Sequence, residues 1–507
     1  MSTNAPTLSG HDVPATTSEL TARAKSLALL LLAMTQFVLV IDASIVNVAL
    51  PSIGRALRFS QGDLSWVLNA YTLTFGGFLL LGGRLADLMG RRRMFIVGLV
   101  LFSVSSLAGG IAQSETWLIA ARAVQGLGAA LVSPAALSII TTTFSEGGER
   151  DRALGVWGAV AGAGGAAGVL LGGVLTSALS WRWVLFVNVP IGLICACLAP
   201  RILLESRART EIRSFDFPGA ITATAGLSLF VWALVETSSA GWGSAATWER
   251  IGCALALLAA FLVIESRQRA PLMPFSIFRL RNLRGANIVA LLIGMSLFSM
   301  FFFLSLYMQD VRRYSAMHTG LAYLPLAIGI IVAAGGASAG VTRFGAKPVL
   351  ISGMLLIGAA LIWLSHVPAT GGSYAADLLG PSLLAAVGLG LAFVSVTITA
   401  MSGTGHHEAG LASGLVNMGQ QVGGALGLAL LATVADSRSH SLLAHGGHTV
   451  GFALTKGFDR AFVVGAGFAF TGAVLALVLI GPRRRRSEEV VDPRTGARQA
   501  SVAAGDV

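Results

Sequence analysis

Asp42 and Arg122 stand out chemically, because each is ionisable and lies inside an otherwise apolar segment. A charged side chain at the centre of a bilayer costs about 2.5–3.5 kcal/mol, so such residues tend to mark functional sites. The directions in which the two segments cross the membrane place both residues at similar depth. The alternatives are a helix-packing hydrogen bond for Asp42 and a structural ion pair for Arg122.

The loop between the second and third apolar segments forms a second group of interest. It has glycine at both ends and combines one acidic residue with several arginines, and the residues concerned are Gly83, Asp87, Gly90, Arg91 and Arg92. The glycines permit a tight turn, and the charges allow ion pairs that form in one conformation and break in another. We interpret the loop as a conformational latch. An ordinary basic cytoplasmic loop would explain the arginines, but not Asp87 and the glycine spacing.

The elements that must position these residues are membrane-spanning helices. Of the 507 residues, 54% are hydrophobic and only 12% are charged, whereas soluble domains contain about 25% charged residues. Apolar runs of about twenty residues, enough to cross a bilayer, recur along the chain. Most of the 35 Lys and Arg fall in loops on one side, which predicts that both termini are cytoplasmic. This placement argues against nucleic acid as a partner.

The predicted fold is an all-α membrane protein of about fourteen transmembrane helices, with two six-helix bundles and two inserted helices. The predicted division is a cytoplasmic tail (1–26), an N-terminal bundle (27–203), two extra helices with a linker (204–285), a C-terminal bundle (286–481) and a basic, disordered tail (482–507). An internal repeat supports two related bundles. Gly126-Leu127-Gly128 reappears as Gly388-Leu389-Gly390, and Gly90-Arg91-Arg92 parallels Gly345-Ala346-Lys347.

Four motifs in this order resemble the major facilitator superfamily, and within it the fourteen-helix drug:proton antiporters. They are the first-segment stretch 42–51, the loop 83–93, the stretch 122–128 and the pair 181–183 with 188–192. The stretch at Arg122 is similar to the family's proton-coupling motif. Because helices one and four are neighbours in the family's fold, the resemblance implies that Asp42 and Arg122 face one cavity. Arg122 would then favour ionised Asp42 until a proton or a cationic substrate competes for the carboxylate. The resemblance covers nearly the whole chain, and it implies rocking of two bundles about a central site.

The fifth apolar segment is rich in glycine, which lets neighbouring helices approach closely. Gly164, Gly168, Gly172 and Gly173 match the glycine helix of the antiporters, so we assign them to it. Gly165 and Val169 stand where the resemblance leads us to expect proline. This departure leaves open whether the helix is kinked as in the antiporters and in which direction the chain transports.

A sparse set of polar and aromatic residues among apolar walls suits lipophilic ligands of varied shape. The candidates for the substrate cavity are Asn47, Trp66, Asn69, Tyr71, Gln125, Phe298, Tyr307, Gln309, Asn417 and Gln421. Asn188, Gln420 and Phe302 belong to the same wider group. For each of them, packing between helices is the competing interpretation.

The chain contains no phosphate-binding loop and no nucleophile set, so we expect neither an enzyme nor a cofactor. His406 and His407 beside Glu408 lack a further ligand at metal-site spacing, so we expect no metal site. A proton gradient would then drive export of drugs, antibiotics or other amphipathic compounds. The expected setting is a monomer in the bacterial cytoplasmic membrane. The alternatives are an exporter or importer dedicated to one metabolite, and a receptor or scaffold without transport.

Overall fold

The computed structural model describes residues 21–60, 63–145, 148–206, 217–241, 243–268, 279–402, 409–444 and 449–481. Several predicted features lie outside the described residues. They are the parts of both predicted tails beyond these ranges, residues 269–278 of the linker, and the histidine pair at 406–407. Within them the secondary structure is entirely helical, as predicted. The first seven helices are α1 (Ala22–Leu57), α2 (Trp66–Met89), α3 (Arg91–Gly110), α4 (Glu115–Thr143), α5 (Gly148–Ala178), α6 (Trp183–Phe186) and α7 (Asn188–Ile202).

Eight further helices follow, and two of them are extended by a π-helical turn. They are α8 (Phe217–Ala240), α9 (Ala245–Arg267), α10 (Arg281–Leu306) with the turn Tyr307–Val311, α11 (Ala316–Phe344), α12 (Ala346–Leu364), α13 (Gly380–Met401) preceded by the turn Ala375–Leu379, α14 (Ala409–Ala444) and α15 (Val450–Leu479). Because α6 and α7 together form one membrane-length segment, these helices correspond to the fourteen predicted spans.

Among the described residues, eleven helical segments are long and apolar enough to cross a membrane. A twelfth candidate is the bent segment formed by α2 and the short turn before it. Shorter apolar stretches at Ala167–Ala178 and Ile221–Leu234 lie in α5 and α8. The observed helices are therefore compatible with about fourteen spans. The grouping into six, two and six helices stays a prediction.

Hydroxyl side chains begin several of the helices. Thr21, Ser114, Ser315 and Thr449 each accept a hydrogen bond from a backbone N–H in the first turn of α1, α4, α11 and α15. Such caps satisfy backbone donors that the helix itself leaves unpaired.

The internal repeat is visible in two matching turns. Gly90 (φ 113°) joins α2 to α3, and Gly345 (φ 90°) joins α11 to α12. Residues with a side chain rarely adopt this backbone conformation, so glycine is needed at both turns.

The glycine repeat also appears in the packing. Gly128 of α4 lies against Gly98 of α3, and Gly388 of α13 lies against Gly353 of α12. Both copies thus bring the repeated helix close to the helix before it.

Candidate functional site

Asp42 of α1 and Arg122 of α4 form a buried ion pair. Arg122 Nη1 donates to Asp42 Oδ2 at 2.7 Å, and the side chains are 1% and 0% exposed. The contact was expected from their similar depth and from the neighbouring of helices one and four that the resemblance implies. Both groups are enclosed by packed helices, so the structure does not place them on the wall of an open cavity as we hypothesised.

Two amides complete the shell around the Asp42 carboxylate. Gln125 Nε2 donates to Oδ1 at 2.8 Å, and Asn188 Nδ2 donates to the same oxygen at 2.7 Å. Both amides also donate to Ser106 Oγ, at 3.2 and 3.1 Å, and this hydroxyl in turn donates to a backbone carbonyl of α6. The Asp42 carboxylate thus accepts hydrogen bonds from three side chains, two on α4 and one on α7.

Arg122 is held from several sides. Its Nε donates to the backbone carbonyl of Val67 at 3.1 Å, and its Nη1 donates to Gln125 Oε1 at 2.8 Å. The guanidinium carbon lies 4.4 Å from the centre of the Tyr71 ring. Arg122 Nη2 and both amide atoms of Asn69 are buried without a hydrogen-bond partner among the described residues. Buried polar atoms without partners are costly, which favours a different arrangement of this cluster in another state.

The glycine helix places α5 against α1 beside Asp42. A Cβ at Gly168 would collide with Ser44 Oγ, and one at Gly172 would lie 2.7 Å from the Ile45 carbonyl oxygen. Gly164 lies similarly close to Val40. Side chains at these positions would push the two helices apart. The contact surrounds the turn of α1 that carries Asp42.

The same helix reaches α11 at its other end. A Cβ at Gly173 would lie 2.7 Å from the carbonyl oxygen of Ala316, and one at Gly320 would lie 2.6 Å from that of Val169. A Cβ at Gly165, in contrast, would have no atom within 4 Å. Helix α5 therefore links the Asp42 site to the C-terminal helices, although prolines are absent at 165 and 169.

The loop between α2 and α3 forms local ion pairs. Arg91 Nη2 lies 3.0 Å from Asp87 Oδ1. The backbone N–H of Arg92 donates to Glu205 Oε1 at 3.1 Å, and its Nη1 donates to the Leu203 carbonyl at 3.0 Å. Glu205 was not among the predicted residues. Its only sequence signal is its position just after the last helix of the first bundle.

All of these partners lie in α2, in α3 or at the end of α7. Gly83 contacts Pro134 of α4, and Gly90 sits against the Glu205 carboxylate. The ion pairs thus hold the N-terminal helices together in this arrangement. Switching of the loop between two states stays a prediction.

The predicted cavity residues do not form one site. Tyr71 and Gln125 join the Asp42 cluster, and Trp66 packs against α8 and α14. Tyr307 donates to the Pro368 carbonyl at 2.7 Å. Phe298 lies against Gly424 of α14, and Gln421 lies against Gly76 of α2. Asn417 is half-buried in α14.

Other members of that set close one end of the protein. Gln309 Nε2 donates to the Val48 carbonyl at 2.8 Å, and Ser305 Oγ donates to that of Asn47 at 2.8 Å. Arg55 and Asp310 form an ion pair of 3.3 Å at the same end. These contacts join α1 to α10 at the end predicted to face outward. At the other end, a Cβ at Gly335 or Gly336 of α11 would have no atom within 4 Å.

An apolar cavity lies beside α1 toward the predicted cytoplasmic end. Its volume is about 470 Å³, and it is lined by Ser26, Leu29, Leu30, Ala33, Met34, Phe37, Val156 and Val160. The lining residues of α1 recur every three or four positions, so they share one helix face. The cavity begins one to two turns from Asp42.

Comparison with known proteins gives consistent results. The sequence profile of the Major Facilitator Superfamily matches residues 32–428. The chain is 43% identical to a cephamycin export protein of Amycolatopsis lactamdurans, over 89% of this chain and 92% of the relative. It is 40% identical to a puromycin resistance protein of Streptomyces alboniger, over 91% and 92%. An auto-inhibited peptide transporter of the POT family shares the fold, with TM-score 0.67 and 16% identity over 90% of this chain and 96% of that one.

Proposed function

Because this chain belongs to the Major Facilitator Superfamily, we propose that it exports small lipophilic or amphipathic compounds, antibiotics among them, in exchange for protons. Two relatives are named for antibiotic export or antibiotic resistance, and each aligns with this chain over 92% of its own length. The proposal of proton exchange is supported by the buried Asp42–Arg122 ion pair. The proposed setting is the bacterial cytoplasmic membrane, with both termini inside and the chain acting as a monomer.

The Asp42 carboxylate is the proposed proton carrier. In the present arrangement it accepts hydrogen bonds from Arg122, Gln125 and Asn188. Protonation would remove the charge that compensates Arg122, and breaking a buried ion pair costs about 3–5 kcal/mol. A proton can therefore bind stably only if the cluster rearranges. The unpartnered atoms of Arg122 and Asn69 supply groups for a second arrangement.

Helix α5 is the proposed mechanical link between the proton and the substrate. It contacts α1 around Asp42 through Gly168 and Gly172, and it contacts α11 through Gly173. A shift of α1 on protonation would therefore reach the contacts that close the outer end. A proton moving down 100 mV supplies about 2.3 kcal/mol, and a tenfold uphill substrate gradient needs about 1.4 kcal/mol. One proton per cycle is thus sufficient to export a substrate against a tenfold concentration gradient.

The apolar cavity beside α1 is the proposed entry site for substrate. It lies toward the end of α1 predicted to be cytoplasmic, and Phe37, Met34 and Leu30 lie on its α1 face. Its volume of about 470 Å³ falls in the range of small-molecule sites. A lipophilic compound could pass from there toward Asp42.

The direct test is expression in a bacterial host that lacks its own pumps. We expect protection against a subset of antibiotics, with puromycin and a cephamycin tested first, and we expect an uncoupler to abolish it. Protection that survives collapse of the proton gradient would contradict proton-driven export. No protection and no transport of any tested compound in vesicles would favour a receptor or scaffold.

A dedicated exporter of one compound is the second candidate. It is favoured by the relatives, each of which is named for a single antibiotic. A panel of chemically unrelated compounds separates a dedicated exporter from a broad one, because a dedicated exporter would protect against only one class. Uptake of a compound driven by the proton gradient would instead indicate an importer.

A further inference from the structure

A second cavity lies among α8, α14 and α15, away from the Asp42 cluster. We call it the outer groove. Its volume is about 420 Å³, and it is lined by Leu234, Leu430, Thr433, Val434, Ser437, Arg438, Ser441 and Arg460. Six of these residues come from one face of α14, since they recur every three or four positions. The groove thus combines apolar side chains, hydroxyls and two arginines.

Both arginines of the outer groove lack a counter-ion in the part of the chain that the structure describes. Arg438 and Arg460 are exposed and form no ion pair there. The carboxylates nearest in sequence are engaged elsewhere: Asp436 pairs with His440 at 3.3 Å, and Asp459 pairs with Lys456 at 2.7 Å. The groove therefore carries two positive charges that no described side chain neutralises.

The two guanidinium groups come from antiparallel helices. Side chains on an α-helix lean toward its N-terminus, so Arg438 of α14 and Arg460 of α15 lean toward each other. Two converging guanidinium groups are suited to bind the oxygens of one phosphate group. Ser437 offers a further donor at the same level.

The order of residues along α14 matches the polarity of a lipid. Leu430 and Val434 come first, and Ser437, Arg438 and Ser441 follow toward the end predicted to face outward. From Arg460 to the end of α15 at Leu479 the helix is about 28 Å long, close to the roughly 30 Å of the hydrocarbon core. The arginines consequently lie at the level of the outer headgroups, with apolar surface below them.

We propose that the outer groove binds an anionic phospholipid of the outer leaflet, with its phosphate on Arg438 and Arg460 and an acyl chain along Leu234, Leu430 and Val434. A phosphate group alone would satisfy the charges but leave the apolar half of the groove empty. Thr433 Oγ1 donates to the Leu234 carbonyl, so the lipid would also lie over the joint between α8 and α14.

The test is lipid binding to the full chain purified in detergent, measured by native mass spectrometry. Phosphatidylglycerol, phosphatidylcholine and inorganic phosphate are the probes. For the double variant R438Q/R460Q we expect the dissociation constant for phosphatidylglycerol to rise on the order of tenfold or more. R438K/R460K should bind more weakly than wild type and more tightly than R438Q/R460Q, because the charges remain while the guanidinium geometry is lost. R58Q/R313Q is the matched control, since it removes two exposed arginines predicted to lie on the same side, and it should bind as wild type does.

Three results would overturn the proposal. Unchanged phosphatidylglycerol binding by R438Q/R460Q would show that the arginines are not involved. Equal binding of phosphatidylcholine would indicate an apolar groove only, and competition by inorganic phosphate at similar affinity would indicate a site for a soluble anion. If R438Q/R460Q does not fold, Val434→Trp tests the proposal instead. It fills the apolar half of the groove and should also weaken phosphatidylglycerol binding, and unchanged binding would contradict the proposal.

Discussion

Asn188 Nδ2 donates a hydrogen bond of 2.7 Å to Oδ1 of Asp42, which lies 146 residues earlier in the chain. The bond joins the first helix of the chain to the last helix of the predicted N-terminal bundle. Together with Arg122 and Gln125 it surrounds a buried carboxylate with donors. The surroundings of the Asp42 carboxylate therefore depend on the relative positions of three helices.

Removal of Asn188 should weaken the packing of α7 on α1. A hydrogen bond to a charged group contributes about 1.5–3 kcal/mol, and Asn188 donates such a bond to Asp42. We therefore expect Asn188→Ala to lower the free energy of unfolding by about that amount, which denaturant unfolding in detergent measures. Asn287→Ala is the control, since the bond that its side chain donates stays within α10. Equal stability of wild type and Asn188→Ala would contradict the role of the bond.

The Asp42–Arg122 pair should show strong coupling in stability. Arg122→Gln leaves a buried carboxylate without its counter-ion, at a cost of about 3–5 kcal/mol. The double variant D42N/R122Q removes both charges, so it should unfold at a higher temperature than R122Q alone. Thermal unfolding in detergent provides the comparison. Additive losses in the double variant would show that the two charges do not stabilise each other.

The packing of α5 on α1 should tolerate no side chain at Gly168. A Cβ there would collide with Ser44, next to Asp42, so we expect Gly168→Leu to abolish transport while the protein still inserts in the membrane. Gly165→Ala is the matched control, because a Cβ at Gly165 meets nothing within 4 Å. It should transport at the wild-type rate. Equal transport activity of the two variants would show that transport does not depend on the close contact between α1 and α5.

Lys25 Nζ lies 2.9 Å from Glu149 Oε1, so the two side chains form an ion pair between α1 and α5. This ion pair should not respond to pH between 5 and 8. Hydrogen bonds from Lys25 and Ser145 lower the pKa of Glu149 from 4.5 to about 2. Because the pKa falls on folding, the contribution to stability is present above pH 4.5 and is lost as the pH falls through about 2. We therefore expect Glu149→Gln to leave the pH profile of transport between pH 5 and 8 unchanged. A shifted profile would show that Glu149 takes part in coupling.

Sequence reasoning singled out Asp42 and Arg122 because ionisable residues in apolar segments are rare, and helix direction sets their depth. Their pairing rested on the family resemblance, which makes the first and fourth helices neighbours. It did not identify Ser106, because a serine in an apolar helix usually bonds to its own backbone. Glu205 was missed for a related reason, since its partners come from a loop distant in the sequence.

The substrate cavity was harder to predict than the ion pair. Asn47 and Gln309 have the residue types expected of a ligand site. In the structure, however, the Asn47 carbonyl and the Gln309 side chain form hydrogen bonds that join α1 to α10. Which face of a helix meets a partner helix depends on the rotation of every helix in the bundle. Periodicity within one apolar segment carries little of that information, since such a segment is apolar on all sides.

The measurement that tests the central claim most directly is substrate-dependent proton movement in sealed vesicles with a pH dye inside. The substrate is one identified by the antibiotic panel, and the proteins compared are wild type, Asp42→Asn and Glu149→Gln. We predict that substrate addition moves protons with wild type and Glu149→Gln, and that Asp42→Asn moves none while still binding the substrate. Proton movement by Asp42→Asn at the wild-type rate would contradict the assignment of Asp42 as the proton carrier.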